Sequence, residues 1–599
     1  MRIVRKFFNL KKISLRRLST INGGRIIYNK FKDKGVKDVF LYSGGAIMPA
    51  VDSFYKGDIN YYINTHEQSL GHAATGYAKS TGKPGICMVT SGPGLTNMIT
   101  PITDATNDST PLIVFSGNVP KKAMGTQAFQ ECPSVDITKP VTKWSYCVEN
   151  VNELSDIVDE AFRVSTTGKK GAVHIDLPKC ITTATTKIEN INNTFIHTDL
   201  NYNKNILDFN INKISTLINN SKNPVIIAGQ GCNEAYKLLR ELSSKGNIPV
   251  TTTIHGVGIF DETNNLSLKF LGMHGNPAAN FAVQNSDLII NLGSRFDDRS
   301  TGNVEKYAPE AYKAAKENRG GIIQVNLNKE ELSKNITTHY NFHTKCDLFL
   351  KHLLPCINYK ERNEWLNRIN MWKSKYPFDI AELDDGTLNT QMVIKSINRN
   401  LPKNKRCRIT TGVGNHQMWA AQFIDYKLPQ TLMTSGSLGV MGVGLPYSIG
   451  VQIGNPDDLV IDIDGDGSFN HTLSELKTVS NYNLPIKIAV MNDGHMSMVR
   501  VWEKLFFNER YTATNLNQNP DYVLLAESFG IESMYCNSKE MLDKNVEYFL
   551  NYPGPILCEF KVNTDLCYPL VKPGNALDDM FLYQEENKFD KIDVTQVPS

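Results

Sequence analysis

Two motifs in the last third of this 599-residue sequence combine glycine with acidic residues after an apolar run. They are GDGS at 465–468 and NDGH at 492–495. The glycines let a backbone approach an anion, and a turn that opens a helix presents N–H groups to it. Asp466 and Asp493 carry hard oxygens, which Mg²⁺ prefers. The pair predicts a metal–diphosphate site, and the alternative is two loops of ordinary turn residues.

The spacing of the two motifs supports a shared site. Asp493 follows Asp466 by 27 residues, about one strand–helix–strand unit. Neighbouring parallel strands would therefore aim both side chains at one point beyond their carboxyl ends, where open α/β sheets bind ligands. The backbone carbonyl of His495 is the predicted third ligand. Its imidazole is the weaker candidate, because Mg²⁺ prefers oxygen and no second histidine is near.

A lone glutamate near the amino end is the other chemical signal. Glu67 follows the strand-like segment Tyr61–Asn64 and precedes the small residues at 71–78. Small residues permit close helix packing, which predicts that Glu67 lies at the buried start of a helix. A poorly solvated carboxyl there has a raised pKa and can share a proton with a ligand nitrogen. The alternative is a helix-start carboxylate favoured by the helix dipole.

Short apolar runs separated by longer periodic stretches are typical of parallel sheets with crossover helices. They fall into three blocks, which predicts an α/β protein of three domains, each a mostly parallel sheet flanked by helices. The predicted strands are Val39–Tyr42, Gly85–Val89, Leu112–Phe115, Ala172–Ile175, Pro224–Gly229, Ile248–Thr253, Leu288–Leu292, Ile322–Leu327, Arg408–Thr411, Leu459–Ile463, Ile486–Met491 and Ile556–Glu559.

Polar stretches at roughly 181–204 and 355–385 divide the blocks, the second with Trp365 and Trp372 inside it. The predicted organisation is a basic tail at 1–20, a first domain at 21–185, a central domain at 205–355, a third domain at 385–570 and a C-terminal tail at 571–599.

Composition excludes several classes of protein. The 64 Lys+Arg against 61 Asp+Glu give a formal charge of +3, too balanced for a nucleic-acid-coating protein. The sequence contains no run of about 18 apolar residues, so no membrane span is predicted. The 11 cysteines contain no CxxC pair, so they predict thiols in a reducing compartment rather than a disulfide frame.

The first twenty residues are basic and amphipathic. They contain seven Lys and Arg and no acidic residue precedes Asp33, while Phe, Leu and Ser are interleaved. This is typical of a mitochondrial presequence. The alternative is a basic tail on a cytoplasmic enzyme.

Taken together, these features resemble the thiamine-diphosphate-dependent enzymes, and most of all the catalytic large subunit of acetohydroxyacid synthase (acetolactate synthase). The resemblance covers nearly the whole chain after residue 21. It implies a pyrimidine-binding domain at 21–185, a central FAD-type domain at 205–355 and a diphosphate and Mg²⁺ domain at 385–570. Its motifs are YSGGA at 42–46, HEQ at 66–68, TSGPGLTN at 90–97, GTQAFQE at 125–131, DLPK at 176–179, LGMHG at 271–275, RFDDR at 295–299, TTGVGNHQMW at 410–419, GVMGVGLP at 439–446, GDGSFN at 465–470 and MVRVW at 498–502.

The resemblance implies an activity in branched-chain amino acid biosynthesis. Pyruvate would be decarboxylated on thiamine diphosphate, and the hydroxyethyl carbanion would be ligated to a second pyruvate or to 2-ketobutyrate. Glu67 would favour the imino form of the aminopyrimidine, so that the cofactor acts as its own base. Met441 would support the folded cofactor and Gln130 would lie near the reacting centre.

The resemblance also assigns binding residues. Thiamine diphosphate would contact Tyr42, Gly45, Glu67, Pro93, Asn97, Val413, Asn415, His416, Gly439, Met441, Gly465, Gly467, Ser468 and Met498. Mg²⁺ would be held by Asp466, Asp493 and the His495 carbonyl. The substrate channel would be lined by Phe129, Lys179, Arg299 and Trp502.

A structural, non-redox FAD is a further implication for the middle domain. By itself Gly229-Gln230-Gly231 is a weak dinucleotide signal, since position 234 is Glu and a tight turn is the alternative. The implied FAD residues are Lys169, Gly229, Gln230, Gly231, Thr253, Met273, His274, Gly275, Gly293, Arg295, Asp297, Arg299, Asn326 and Asp347.

Several positions depart from the family pattern. They are Ser43, Gln127, Lys169, Asn326, Asn415 and Asp493. Asp493 keeps an oxygen but adds charge at the metal. Lys169 loses the bidentate reach of the usual arginine, and Asn326 replaces an acidic residue. Catalytic positions are kept better than flavin positions, which leads to the hypothesis of weak FAD affinity.

Glu67 and Asp466 lie about 400 residues apart in the sequence. In the family the site forms between two subunits, so the resemblance implies a homodimer or homotetramer, and a regulatory small subunit is common. Two alternatives remain at this stage. One is another thiamine-diphosphate decarboxylase or carboligase, such as a catabolic acetolactate synthase, and the other is an inactive binding paralogue.

Overall fold

The computed structural model describes residues 20–191, 204–378, 386–516, 518–564 and 566–582. The presequence-like segment therefore lies outside the described residues, apart from Thr20. Two compact units are present: one ends before residue 200 and includes residues 449–455, and the other contains the rest of the described chain. The predicted class is confirmed, because three mostly parallel sheets flanked by helices form the protein.

The first unit contains a parallel sheet of six strands in the order β3-β2-β4-β5-β7-β6. The strands are β1 (Thr20–Asn22), β2 (Asp38–Leu41), β3 (Asn60–Tyr62), β4 (Gly85–Val89), β5 (Leu112–Asn118), β6 (Trp144–Cys147), β7 (Ala172–Pro178) and β8 (Thr185–Lys187), with β1 and β8 forming a small antiparallel pair. The helices are α1 (Gly23–Asp33), α2 (Met48–Val51), α3 (Glu67–Thr81), α4 (Pro93–Thr96), α5 (Ile99–Asn107), α6 (Ser134–Thr138), α7 (Leu154–Thr166) and α8 (Lys179–Thr183).

The middle sheet belongs to the second unit and has the order β11-β10-β9-β12-β13-β14, with every pair parallel. Its strands are β9 (Pro224–Ala228), β10 (Val250–Thr252), β11 (Ser267–Phe270), β12 (Leu288–Leu292), β13 (Gly321–Asn326) and β14 (Tyr340–His343). Its helices are α9 (Lys204–Asn220), α10 (Tyr236–Gly246), α11 (Pro277–Gln284), α12 (Asp298–Thr301), α13 (Pro309–Lys316), α14 (Cys346–Leu353) and α15 (Asn363–Lys375).

Helix α15 lies inside the polar stretch at 355–385, for which the sequence analysis predicted no element. Trp365, Ile369 and Trp372 recur at helical spacing and are buried against α11 and its neighbours. The indole N–H of Trp365 donates to the carbonyl of Pro224 at 3.0 Å. Three apolar residues on one face bind this helix to the sheet, although most of its residues are polar.

The third sheet has seven strands, ordered β15-β21-β19-β18-β16-β17, with β20 also beside β21. Its strands are β15 (Leu388–Asn389), β16 (Cys407–Thr411), β17 (Leu432–Met433), β18 (Leu459–Gly465), β19 (Lys487–Asn492), β20 (Glu532–Cys536) and β21 (Ile556–Asn563), and the hairpin β22 (Leu570–Val571) and β23 (Met580–Phe581) follows. Its helices are α16 (Thr390–Asn400), α17 (Asn415–Phe423), α18 (Gly444–Gly454), α19 (Asp466–Phe469), α20 (Leu476–Asn481), α21 (Ser497–Phe506), α22 (Tyr522–Ser528) and α23 (Lys539–Asn551).

The central strands of all three sheets are almost fully buried, because helices cover both faces, and most of their residues are apolar, with Asp462 and Asp464 of β18 among the buried exceptions. This explains why continuous apolar runs located them. Observed bounds agree with the predicted ones for β4 and β12 and differ by one to four residues for the other predicted strands. No strand was predicted at the positions of β6, β11, β14, β15, β17 and β20.

Each sheet contains a point where the strand order changes direction. These switch points lie between β2 and β4, between β9 and β12, and between β16 and β18. Ligands of open α/β sheets bind beyond the carboxyl ends of the strands at such points. The loops that follow the strands at these three switch points are therefore the expected ligand-binding positions. Among the described helices, none has the length and apolar character needed to cross a membrane.

Candidate active site

Glu67 begins α3 directly beyond strand β3. The helix starts there because the His66 ring nitrogen Nδ1 accepts the Gln68 N–H at 3.1 Å. The side-chain amide of Asn97 donates to Glu67 Oε2 at 2.9 Å. The glutamate is half-buried rather than buried as predicted, and full burial along α3 begins only at Ser69.

The loops around Glu67 approach each other closely. A Cβ at Gly44 would lie 2.5 Å from Thr90, so the loop after β2 touches the loop after β4. Gly92 has a φ of +59°, and a Cβ there would lie 2.9 Å from the carbonyl oxygen of Gln130. Only glycine fits such a turn and contact. The loops carrying predicted site residues Tyr42, Gly45, Pro93, Asn97 and Gln130 thus converge within the first unit.

The loop before Gln130 is closed by Glu131, for which no role was predicted. Its carboxylate accepts the backbone N–H groups of Gly125 and Ala128, the latter at 3.0 Å. Phe129 projects from this loop with 88% of its surface exposed. Lys179, another predicted channel residue, begins α8 immediately after β7.

The two acidic motifs meet as predicted in the second unit. β18 and β19 are neighbouring parallel strands, and the N–H of Gly494 donates to Asp466 Oδ2 at 3.0 Å. Asp466 is 2% exposed. Burial, and secondly the charge of Asp493, raise the pKa of Asp466 to about 7. Two carboxyl groups that oppose each other's ionisation in a buried place are what a divalent cation would stabilise.

Asp493 is held in position by its neighbours. The Ser497 hydroxyl donates to Asp493 Oδ2, and the His495 backbone N–H donates to Oδ1 at 3.0 Å. The His495 ring nitrogen Nδ1 lies 2.8 Å from the Asp493 carbonyl and 3.1 Å from the Thr564 hydroxyl. Across the described ranges there is no group of three or more His, Cys, Asp or Glu side chains that could hold a metal. A site here would need backbone or ligand oxygens beside the two carboxylates.

Small residues meet beside these carboxylates at the β16–β18 switch point. They include Gly412, Gly442 and Ser468 and are called the cradle below. A Cβ at Gly412 would lie 2.0 Å from Ser468 Oγ and 2.1 Å from Asp464 Oδ1. The N–H of Gly442 donates to Ser468 Oγ at 2.8 Å. His416 Nε2 lies 3.2 Å from Asp464 Oδ1. Val413 and Asn415 belong to the same β16–α17 turn.

Residues 435–442 form the side of this cradle. The Ser435 hydroxyl accepts the N–H groups of Gly439 and Val440, at 3.1 and 3.0 Å. Gly439 has a φ of +74° with open space where a Cβ would stand. A Cβ at Gly467 would lie 3.8 Å from Met441 Cε, so Met441 reaches the GDGS turn, and its role beside the cofactor stays a prediction. Met498 packs, partly buried, on the core of this domain.

Glycines also meet at the switch point of the middle sheet. A Cβ at Gly229 would lie 2.4 Å from the carbonyl of Gly293, and Gly231 donates its N–H to that carbonyl at 3.1 Å. Arg295 follows in the same loop and donates to the Ser437 hydroxyl at 2.8 Å. The Asn326 amide donates to the Ser294 carbonyl at 3.2 Å. These predicted dinucleotide residues are therefore brought together.

Other residues predicted for the flavin have structural partners. Asp297 caps α12 by accepting the Ser300 N–H at 3.0 Å. Asp347 accepts from Lys351 at 3.2 Å one turn along α14. His274 is buried, with Nδ1 3.1 Å from both the Cys567 and Pro569 carbonyls, and burial lowers its pKa to about 4. Thr253 and Gly275 lie in neighbouring turns, whereas Lys169 belongs to the first unit.

An apolar cluster joins the predicted channel residues of the second unit. Met273 and Trp502 pack with Phe506 and with Tyr568 and Phe581 near the C-terminus. The Arg299 guanidinium lies 3.6 Å from the Met273 sulfur. The β22–β23 hairpin crosses the boundary predicted at residue 570, and the Val571 N–H donates to the Met273 carbonyl at 2.8 Å.

Three family models match the chain in the order of its three sheets. They describe the thiamine pyrophosphate enzyme N-terminal TPP binding domain at residues 21–138, the central domain at 211–353 and the C-terminal TPP binding domain at 412–560. A yeast protein, the acetolactate synthase catalytic subunit, mitochondrial, of Saccharomyces cerevisiae, is 42% identical over 580 residues, which cover 94% of this chain and 84% of that protein. The chain belongs to the acetolactate synthase catalytic-subunit family of thiamine pyrophosphate enzymes.

Bacterial and algal acetolactate synthases match over a similar extent. The isozyme 2 large subunit of Escherichia coli is 35% identical over 572 residues, covering 94% of this chain and 99% of that protein. The large subunit of Cyanidium caldarium is 39% identical, covering 91% of this chain and 94% of that protein. The predicted membership of the acetolactate synthase family is confirmed.

Proposed function

We propose that this chain is a thiamine-diphosphate-dependent acetolactate synthase of branched-chain amino acid biosynthesis. It decarboxylates pyruvate and joins the two-carbon unit to a second pyruvate or to 2-ketobutyrate. The observation that carries the proposal is the meeting of Asp466 and Asp493 beside a glycine cradle at a sheet switch point, in a chain that matches both thiamine pyrophosphate binding domains. The named relatives favour this activity over that of a catabolic synthase.

The donor set fits a magnesium diphosphate. Asp466, Asp493 and the His495 carbonyl would hold Mg²⁺ through hard oxygens, and the cation would neutralise two carboxylates that are otherwise held together in a buried place. Ser468, Asn415 and His416 border the cradle in which the diphosphate would lie. When bound, thiamine diphosphate supplies a carbon nucleophile and a positive ring that accepts the electrons released on decarboxylation.

Glu67 is the residue that would handle a proton. Its Oε2 is fixed by Asn97, which leaves Oε1 to share a proton with a ring nitrogen of the aminopyrimidine. Gln130, held against Gly92, would lie beside the reacting carbon. Phe129, Lys179, Arg299 and Trp502 would exclude water and orient the second keto acid.

We propose a homodimer or homotetramer with the active site between subunits. Glu67 and Asp466 belong to different compact units, and the family resemblance implies that one subunit supplies Glu67 and its partner supplies Asp466. Phe129 supports the interface, because a large apolar side chain that is 88% exposed on the site loop is suited to burial by a second copy. The designation of relatives as catalytic or large subunits supports a separate regulatory subunit.

A structural FAD in the middle domain is proposed on chemical fit. Counted from β9 as strand 1, the middle sheet has the strand order 3-2-1-4-5-6 of dinucleotide-binding folds. The glycine contact at its switch point and the adjacent Arg295 fit a dinucleotide diphosphate. Lys169 and Asn326 depart from the residues usual in the family at flavin positions, so we expect low affinity for FAD. Flavin absorbance of the purified protein tests this, and a stoichiometric content would exclude weak binding.

A mitochondrial location is proposed from the basic first twenty residues and from relatives designated mitochondrial. A fluorescent protein fused after residue 20 should enter mitochondria, and the same fusion with its seven cations replaced by glutamine should not. Cytoplasmic fluorescence from both fusions would favour the alternative.

One assay tests the activity itself. Purified protein supplied with pyruvate should form acetolactate only when thiamine diphosphate and Mg²⁺ are both present. Added 2-ketobutyrate should yield acetohydroxybutyrate as a second product. Formation of acetaldehyde alone would indicate a decarboxylase, and no turnover under any of these conditions would indicate an inactive paralogue.

A further inference from the structure

A chain of hydrogen bonds leads from the start of α22 to Asp466. The Asn519 side-chain N–H groups donate to Asp466 Oδ2 at 2.6 Å and to Asn492 Oδ1 at 3.3 Å. Asn519 therefore connects the carboxyl ends of β18 and β19. Its partner on β19, Asn492, directly precedes Asp493. It lies 53 residues after Asp466 in a segment without a recognisable motif.

The direction of each bond in this chain is fixed. The Asn470 amide donates to Asn519 Oδ1 at 2.8 Å, so the N–H groups of Asn519 must face Asp466. The Tyr522 hydroxyl donates to Asn470 Oδ1 at 2.9 Å. Tyr522 is itself fixed, since it is fully buried and the preceding Asp521 caps α22 through the Leu524 N–H. An aligned chain of this kind holds its last acceptor in one orientation.

We propose that Asn519 is a positioning residue for the metal ligand Asp466 and that Asn470 and Tyr522 set its direction. The inference rests on the proposed Mg²⁺ site. With Asn519 and Gly494 both donating to Oδ2, the lone pairs of that oxygen are occupied, and Oδ1 is the oxygen assigned to the cation. Partners of this kind orient metal ligands before the metal arrives.

Binding of Mn²⁺, followed by electron paramagnetic resonance in the presence of thiamine diphosphate, tests the proposal without turnover. Asn519→Ala should raise the dissociation constant for Mn²⁺ by about 10- to 100-fold, as for other partners of metal ligands. Tyr522→Phe keeps the buried ring and removes only the donor, so its effect should be about 2- to 10-fold. The graded order separates positioning from a general loss of fold.

Two surface variants are matched controls. Asn551→Ala removes an exposed asparagine of α23, and Tyr548→Phe removes an exposed hydroxyl that contacts Glu532. Both should bind Mn²⁺ like the unmodified protein. All variants should retain its melting temperature in EDTA; a variant that loses stability but binds Mn²⁺ normally has a structural role only, and this result would overturn the proposal.

Failure of the inference and failure of the proposed function give different results. If the unmodified protein binds Mn²⁺, Asp466→Ala abolishes binding and Asn519→Ala binds normally, then Asn519 does not position Asp466. If the unmodified protein binds no Mn²⁺ with thiamine diphosphate, or if Asp466→Ala binds it unchanged, the metal site itself is wrong and this inference is overturned with it.

Discussion

Asn97 donates a hydrogen bond of 2.9 Å to the carboxylate of Glu67, across the loops that follow β3 and β4. This bond keeps the carboxylate in one orientation at the open edge of its sheet. Glu67→Gln keeps the shape but cannot give a proton to a ring nitrogen as a carboxyl group does. We expect acetolactate formation to fall by about 10²- to 10⁴-fold. Initial rates at saturating pyruvate and cofactor measure this.

Glu149→Gln is the matched control for this variant. Glu149 belongs to the same unit, and its side chain is exposed. The activity of Glu149→Gln should equal that of the unmodified protein. Circular dichroism of Glu67→Gln should be unchanged, and retained activity in that variant would show that the role of Glu67 is misassigned.

Co-expression of two inactive chains tests whether the site is shared between subunits. Glu67→Gln damages the first unit and Asp466→Ala the second. In a mixed dimer with shared sites, one site carries both substitutions and the other carries neither. Random pairing makes half of the dimers mixed, so about a quarter of the normal activity should return. Activity of the total co-expressed protein measures this quarter, and differently tagged, tandem-purified mixed dimers should show about half of the normal activity, because one of their two sites is intact.

The two variants expressed separately and mixed after purification are the control, because slow subunit exchange would leave them inactive. A site built within one chain gives a different result. Every chain in the mixed dimer would then carry a damaged site, and co-expression would restore nothing.

The inner strands could be predicted from the sequence because parallel strands covered on both faces are continuous apolar runs, whereas β6, β11, β14 and β17 at the sheet edges were not predicted. β4 and β12 are examples whose bounds were predicted to the residue. Helix α15 could not be found in this way, because its polar residues outnumber Trp365, Ile369 and Trp372 and its stability comes from tertiary contact.

The site shows the same division. GDGS and NDGH could be paired from sequence, since adjacent strand–helix–strand units bring their loops together. Asn519, Asn470 and Tyr522 could not, because their roles depend on hydrogen bonds between separate loops. The role of Glu131 could not be predicted either, because its carboxylate accepts backbone N–H groups, which do not depend on the residue type of the partner.

Glu262 predicts a pH dependence of stability. Burial raises its pKa to about 8, from 4.5, and the nearby Lys269 only partly opposes this. Its Oε2 accepts the Tyr426 N–H at 3.2 Å. Because the folded state binds the proton more tightly, this stabilisation is complete below pH 4.5 and is lost as the pH rises through about 8. The loss is at most about 1.4 kcal/mol per pH unit.

Urea unfolding between pH 6 and pH 9 measures this effect. Glu262→Gln keeps an acceptor for Tyr426 without a charge, so its free energy of unfolding should decline less across that range. Glu241→Gln, on the exposed face of α10, should decline as the unmodified protein does. Parallel pH profiles for all three proteins would mean that Glu262 is not protonated in the folded state.

Two glycines of the cradle should respond differently to the same substitution. A Cβ at Gly412 would lie 2.0 Å from Ser468 Oγ and 2.1 Å from Asp464 Oδ1, whereas the nearest atom to one at Gly467 is the mobile end of Leu516, at 3.2 Å. Gly412→Ala should therefore displace the cradle, cost about 1–3 kcal/mol of unfolding free energy and weaken thiamine diphosphate binding. Gly467→Ala should change the free energy of unfolding little, because a leucine side chain can rotate away. Urea unfolding and activity as a function of thiamine diphosphate concentration compare the two variants. Equal effects would mean that the close contact at Gly412 does not shape the binding site.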